Sequence, residues 1–194
     1  HHRFMLGQLL AHLTHLDQQI AVFSARIAAK TAAFVDEVLE EKLDVVPGVN
    51  STTIENVVAE IGTDMDQFPT AGQIASWGGI CPGNEESAGK RKRTKTTKGN
   101  RWLRRALSEA AWAATHTRNS YFSAQYHRLA GRRGKKRALI AVAHTMLIVI
   151  YEIIKHRTDY KDLGADYFAK LDPQRHKRYL VKRLEQLGYE VTLT

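Results

Sequence analysis

The chain has 194 residues, 43% of them hydrophobic and 25% charged, with a formal net charge of +9 and a pI near 9.7. This composition excludes a disordered chain, and the length suffices for one well-buried core. The single cysteine, Cys81, excludes an intramolecular disulfide and a Cys-rich zinc cluster and points to a reducing compartment. The basic balance points to an acidic partner, nucleic acid being the commonest, although a ribosome-like or membrane-surface role fits the pI equally well.

The first predicted element is a long helix. Leu6, Leu9, Leu13, Leu16, Ile20, Phe23 and Ile27 step by alternating three and four residues, which is the a/d seam of a coiled coil. An amphipathic helix lying on its own core would show a wider apolar stripe, so we expect an arm that pairs with another helix or subunit. Phe34, Val35 and Val38 are expected to continue the helix into a second apolar patch, giving a helical arm over residues 1–42 and a helical domain over 43–194. No signal-peptide pattern is visible. His1-His2-Arg3-Phe4 opens inside a helical pattern without Met, so the sequence reads as a piece of a longer protein.

Pro47 ends the next helix. Gly48 and Asn50 tolerate positive φ, and a Ser/Thr from Ser51-Thr52-Thr53 caps a helix carrying Ile54, Val57, Val58 and Ile61. Such a turn exposes N–H groups at a helix N-terminus, where a phosphate can dock. It reads as helix-hairpin-helix-like, with Gly48, Asn50 and Ser51 as nucleic-acid contacts, or equally as an ordinary turn between helices. A short helix follows from Phe68-Pro69-Thr70 to Trp77 and is stopped by Gly78-Gly79.

From Gly78 to Gly99 no apolar periodicity is sustained, the mark of a long loop that is functional or disordered. This loop and the start of the next helix hold the strongest charge feature of the chain. After Glu85, Glu86 and Ser87 come nine cations (Lys90, Arg91, Lys92, Arg93, Lys95, Lys98, Arg101, Arg104 and Arg105) before the next acid, Glu109. They equal the net charge of the chain, so the remaining charges nearly cancel. Helix resumes at Asn100 with Trp102, Leu103, Ala106, Leu107, Ala110 and Ala111. Helical spacing sets Arg101 and Arg105 on one face with Arg104 beside them, a phosphate clamp, and assigns Trp102 and Trp112 to the core.

A shorter helix is predicted over Ser120–Ala130. Gly131 and Gly134 bracket Arg132 and Arg133 and, with Lys135 and Lys136, suggest a mobile phosphate-gripping turn. The apolar run Ala138–Tyr151 contains His144 and Thr145 and is shorter than the ~20 residues of a bilayer span, so it reads as a core helix and no membrane partner is expected. His116, His127, His144 and His156 show no metal spacing. A last helix opens at Pro173 with Tyr179, Leu180, Leu184 and Leu187 inward, and Gly188 ends it. The strand-like Tyr189–Thr194 cannot form a sheet alone, so the fold class is all-α.

Ser87-Ala88-Gly89-Lys90-Arg91, Thr97-Lys98-Gly99-Asn100, Leu103-Arg104-Arg105, Glu109-Ala110-Ala111, Val46-Pro47-Gly48-Val49, Ala59-Glu60-Ile61-Gly62, Ile80-Cys81-Pro82 and Leu187-Gly188-Tyr189-Glu190-Val191-Thr192 occur in an order that resembles one family. It is the C-terminal transposase domain of the IS-one-ten insertion-sequence recombinases. The resemblance runs from about Leu43 to the end, and the heptad arm is similar to that family's coiled-coil connector. It implies a serine that attacks DNA and forms a phosphoserine link, at the position of Ser87. It also implies a structured guide RNA, and a separate RuvC-like N-terminal domain holding four acids and a divalent metal such as magnesium. No cofactor is then expected in this piece, and a homo-oligomer, dimer or tetramer, is expected through the N-terminal helix. The expected location is the cytoplasm of a prokaryotic cell, near its nucleoid.

General chemistry agrees with that implication. A serine hydroxyl is a weak nucleophile and needs a base, a metal or a strong field, and the attacked phosphate gains charge that cations must meet. Most loop serines are merely solvated, and a basic loop alone binds nucleic acid weakly through counterion release. The alternative from another class is therefore a non-catalytic helix-hairpin-helix module that binds DNA or RNA and oligomerises. A third is a structural assembly module.

Overall fold

The computed structural model describes residues 1–82, 85–87, 90–93 and 96–192, and at residues 85–87, 90–93, 175 and 176 it describes the backbone. The first helix, α1, spans His2–Thr31 and buries none of its residues. Its seam from Leu6 to Ile27 is 42–61% exposed, so in a single chain most of the apolar stripe is left uncovered. Only its C-terminal end meets the rest of the protein, where Phe23, Ile27 and Thr31 face Val58 and Ala59 across a cleft of about 510 Å³. The helix does not run on through Phe34, as the pattern of Val35 and Val38 suggested. Residues 32–36 turn, and the Asp36 carboxylate accepts from the Leu39 N–H to cap α2, Glu37–Asp44. The expected boundary at residue 42 thus falls inside α2, whose Leu39 and Leu43 are buried in the core.

The turn after α2 leads to α3, Ser51–Ile61. Then come a single 3-10 turn at Met65–Gln67 and α4, Ala71–Trp77, which opens on a reciprocal capping box between Thr70 and Gln73. Next are a two-stranded antiparallel ribbon, β1 (Glu85–Ser87) and β2 (Lys90–Arg93), and α5, Arg101–Thr115. The chain continues with α6, Tyr121–Arg133, and α7, Lys135–His156. It ends with α8, Tyr167–Leu171, and α9, Pro173–Gln186. The class is all-α, as expected, with the ribbon as a local addition inside the long loop.

The core forms around α7. Met146, Leu147, Ile150 and Tyr151 of this helix are buried, in one cluster with Leu39 and Leu43 of α2, Ile54 and Val57 of α3, Ile74 of α4, Leu103 and Leu107 of α5 and Phe122 of α6. Each such side chain contributes about 1.5–3 kcal/mol of transfer free energy. The Tyr151 hydroxyl donates to the Phe68 carbonyl at 2.8 Å, and Lys155 donates to the Pro69 carbonyl, tying the start of α4 to α7. Among the described residues α7 is one helix long and apolar enough to cross a membrane, but its apolar face is used for packing.

Two expectations about the core fail for one reason: periodicity shows an apolar face but not what covers it. Tyr179, Leu180, Leu184 and Leu187 are exposed, not inward, and Trp102 and Trp112 are half-exposed on α5. Gly131 lies inside α6, so Arg132 and Arg133 form its last turn, and only Gly134, at φ +84°, breaks the chain before α7. Residues 189–192 form no strand, and Leu193 and Thr194 lie outside the described residues.

Candidate nucleic-acid interface

The loop carrying Ser87 is closed at its base by backbone contact. Gly79 adopts φ +68°, and a Cβ placed on Gly99 would stand 2.3 Å from the Gly79 nitrogen and 2.5 Å from its Cα. Two glycines far apart in sequence therefore touch main chain to main chain, a distance that only glycine permits. One step outward, Pro82 and Thr96 form an isolated antiparallel bridge. Beneath the clasp, Ile80 is buried, and Gly78 lies where a Cβ would meet Leu103 of α5 at 3.2 Å. The loop is thus a ribbon standing on the junction of α4, α5 and α7.

Along the ribbon, Glu86 pairs with Arg91 and Ser87 with Lys90, with a register irregularity between Glu85 and Glu86. Ser87 occupies the last paired position of β1. Lys90, Arg91, Lys92 and Arg93 form β2, so the four cations lie on the strand that neighbours the serine strand. Lys95 lies outside the described residues. Lys98 is exposed just before α5.

At the foot of the ribbon α5 begins. The Asn100 carboxamide oxygen accepts from the N–H groups of Trp102 and Leu103 at 2.9 and 3.0 Å, and its NH₂ donates to Glu60 of α3. This side chain, read from the sequence as a nucleic-acid contact, is committed to capping α5. Arg101 is exposed, its guanidinium 4.5 Å above the Trp102 ring. Arg104 is half-buried. Arg105 donates to Glu109 at 2.9 Å, and this pairing raises its already high pKa. Of the three arginines of the expected clamp, Arg105 already has a carboxylate partner.

The turn at Gly48 serves packing. Gly48 has the expected positive φ of +82°, and a Cβ there would fall 2.2 Å from the Ala110 carbonyl oxygen of α5. Asn50 does not adopt positive φ. It is extended, at φ −140°, and its side chain accepts from the Thr53 N–H and hydroxyl. The cap of α3 is thus Asn50 in place of the expected Ser or Thr, and Ser51 is the exposed first residue of the helix. Arg132, Arg133, Lys135 and Lys136 are all exposed around the Gly134 break, at the start of α7, about three helical turns from Leu147, where the ribbon base meets that helix.

Burial raises the Cys81 thiol above its usual pKa, which opposes thiolate chemistry beside the ribbon. Among the described residues no group of three or more His, Cys, Asp or Glu side chains could hold a metal ion.

Residues 40–127 match the Transposase IS116/IS110/IS902 family. This transposase match runs from α2 into α6 and contains the whole ribbon. The chain is also 28% identical over 160 residues to the insertion element IS110 uncharacterized 43.6 kDa protein of Streptomyces coelicolor, an alignment covering 81% of this chain and 38% of that protein. The chain therefore spans well under half the length of this curated relative. The matched segment is the one that carries the basic ribbon.

The glycine clasp, the ribbon pairing and the exposed tryptophans were not expected from the sequence. Gly78-Gly79 and Gly99 were visible as glycines, but single-chain periodicity carries no signal that two of them meet.

Proposed function

We propose that this chain is the DNA-joining C-terminal part of an IS110-type transposase, with Ser87 as the nucleophile. The observation that supports this reading is the position of Ser87: it closes β1 beside the all-basic β2, on a ribbon whose base is clasped to the N-terminus of α5. A mechanism follows from that arrangement. The Ser87 oxygen attacks a DNA phosphorus, and its proton passes to a base. The bond from phosphorus to the leaving sugar oxygen breaks, and that oxygen takes up a proton. A phosphoserine ester then holds the DNA until a second sugar hydroxyl reverses the exchange. Lys90, Arg91, Lys92, Arg93 and Lys98 meet the charge gained by the phosphate, and Arg101 and Arg104 grip the flanking backbone.

In this proposal magnesium and the activating base belong to a separate acidic RuvC-like domain, and no step here is routed through them. A structured RNA selecting the DNA, a prokaryotic cytoplasmic setting and assembly into a dimer or tetramer through the α1 seam complete the reading. The seam is supported by its exposure along the whole arm. Ser87→Ala in the full-length protein is expected to abolish strand exchange and spare nucleic-acid binding. Recombination by that variant removes Ser87 from the mechanism. A merely nucleic-acid-binding helical module would bind with strong salt dependence and form no covalent adduct under any condition.

A further inference from the structure

A surface is shared by α6, α8 and α9. A cleft of about 580 Å³ opens there, within the ~300–1,000 Å³ range of small-ligand sites. Its lining combines small residues such as Ala124 and Ala169 with Arg128, Arg132 and Tyr179. Arg128 and Arg132 are one helical turn apart on α6 and so share a face.

The walls are built. The Arg128 guanidinium lies 4.5 Å over the Phe168 ring, and Phe168 is itself stacked on Tyr121 with centroids 5.3 Å apart. Arg128 is thus fixed as a flat cation backed by two aromatic rings. Tyr179 is half-exposed, and its hydroxyl accepts from Arg183 at 3.2 Å. Two planar groups, one cationic and one aromatic, border the same cleft beside a second arginine. His127 also lines it, as does Asp172, which has a partner of its own. Arg133, Lys135, Lys136 and Arg137, next in the chain, are exposed, and residues 127–137 contain six Lys/Arg and no acid.

Flat cations and aromatic rings bind the face of an unstacked base, and a neighbouring arginine binds its phosphate. A duplex offers no free base face. We propose that this cleft holds one unstacked nucleotide of a single-stranded nucleic acid, with its base against Arg128 and Tyr179 and its phosphate on Arg132. The site is separate from Ser87 and rests on the proposed function only in taking nucleic acid as the partner.

Gly131 supplies the test, because a Cβ there has nothing within 4 Å. Gly131→Leu adds a branched side chain at a cleft-lining position where the Cβ has room, and Gly131→Ala is its control. Binding is measured by fluorescence anisotropy with full-length protein and three labelled probes of equal length: oligo-U, oligo-dT and a DNA duplex. Stacking of one base is worth about 1–3 kcal/mol, so Gly131→Leu and Arg128→Ala should weaken single-strand binding by about 5- to 150-fold. Duplex binding should change less than about twofold, since a duplex presents no base face to lose. Arg132→Gln, which leaves α6 intact, should weaken the single strands and lower the salt slope by about 1. The single strand that loses more identifies RNA or DNA as the source. Equal losses on single strands and duplex, or no loss in Gly131→Leu, overturn the cleft alone. Absence of binding by the unaltered protein to all three probes overturns the proposed function with it.

Discussion

The clasp at the foot of the ribbon can be opened by one methyl group. In Gly99→Ala the new carbon lies 2.3 Å from the Gly79 nitrogen and 2.5 Å from the Gly78 carbonyl carbon. Favourable separations are near ~3.5 Å, so the two backbones must part by about 1 Å. No flexible side chain is available to yield, because both neighbours are main chain. Inserting a methyl where packing is full costs about 1–3 kcal/mol. For a domain of this size each kcal/mol lowers the melting temperature by about 2–4 °C, so a fall of roughly 2–12 °C is expected. The core beneath, from Ile80 and Leu103 to Leu147, keeps its side chains, so the helical circular dichroism should be unchanged. Function should suffer more than stability, since a displacement of about 1 Å at a reacting group can cost roughly 100-fold in rate. The assay is strand transfer and thermal melting of the full-length variant beside Gly131→Ala, whose added methyl meets nothing. Gly99→Ala with an unchanged melting temperature and full strand transfer would refute both the clasp and its role in aiming the ribbon.

Gly48→Ala combines a 2.2 Å approach to the Ala110 carbonyl with a left-handed φ, which together cost about 2–5 kcal/mol; urea melts should show a large loss, and a loss below about 1 kcal/mol would contradict the packing of this turn on α5. Leu16→Asp, in the exposed α1 seam, should convert an oligomer to a monomer in size measurements while leaving the melting of the helical domain intact, and an unaltered monomer before and after mutation would show that the seam does not pair copies of the chain. Burial lowers the His144 imidazole below its ordinary value of 6.5. The folded protein then binds fewer protons than the unfolded chain, so stability rises with pH through the window below 6.5 and is lost as pH falls through it. His144→Gln should flatten that slope, and parallel pH curves for the two proteins would contradict the burial effect.

The helices were legible where apolar residues recur every three or four positions and a cap precedes them. Thr70, Asn100 and Ser120 mark the starts of α4, α5 and α6, and Gly62 and Gly134 mark ends. Burial was less legible. Trp102, Trp112 and Leu184 keep helical spacing yet remain about half-exposed, because spacing alone does not say which neighbours cover a face. The ribbon escaped notice since β1 and β2 are polar throughout and are held by backbone pairing, which leaves no alternation of apolar residues. The clasp is a contact between residues far apart in sequence, and no local propensity encodes it. At the candidate site the serine and its cations were readable as residue types, whereas the commitment of Asn100 to capping and of Arg105 to Glu109 depends on three-dimensional neighbours. The cleft beside Arg128 was invisible for the same reason, since Phe168 and Tyr179 reach it from separate helices.

Whether an alcohol on this ribbon takes hold of DNA is decided by one measurement. Full-length protein, incubated with a DNA substrate and the proposed guide RNA, is denatured, digested and mapped by mass spectrometry for a nucleotide-bearing peptide. A phosphoester on Ser87, absent from Ser87→Ala, is the predicted result. Efficient strand exchange with no adduct, or with the adduct on another side chain, would contradict it.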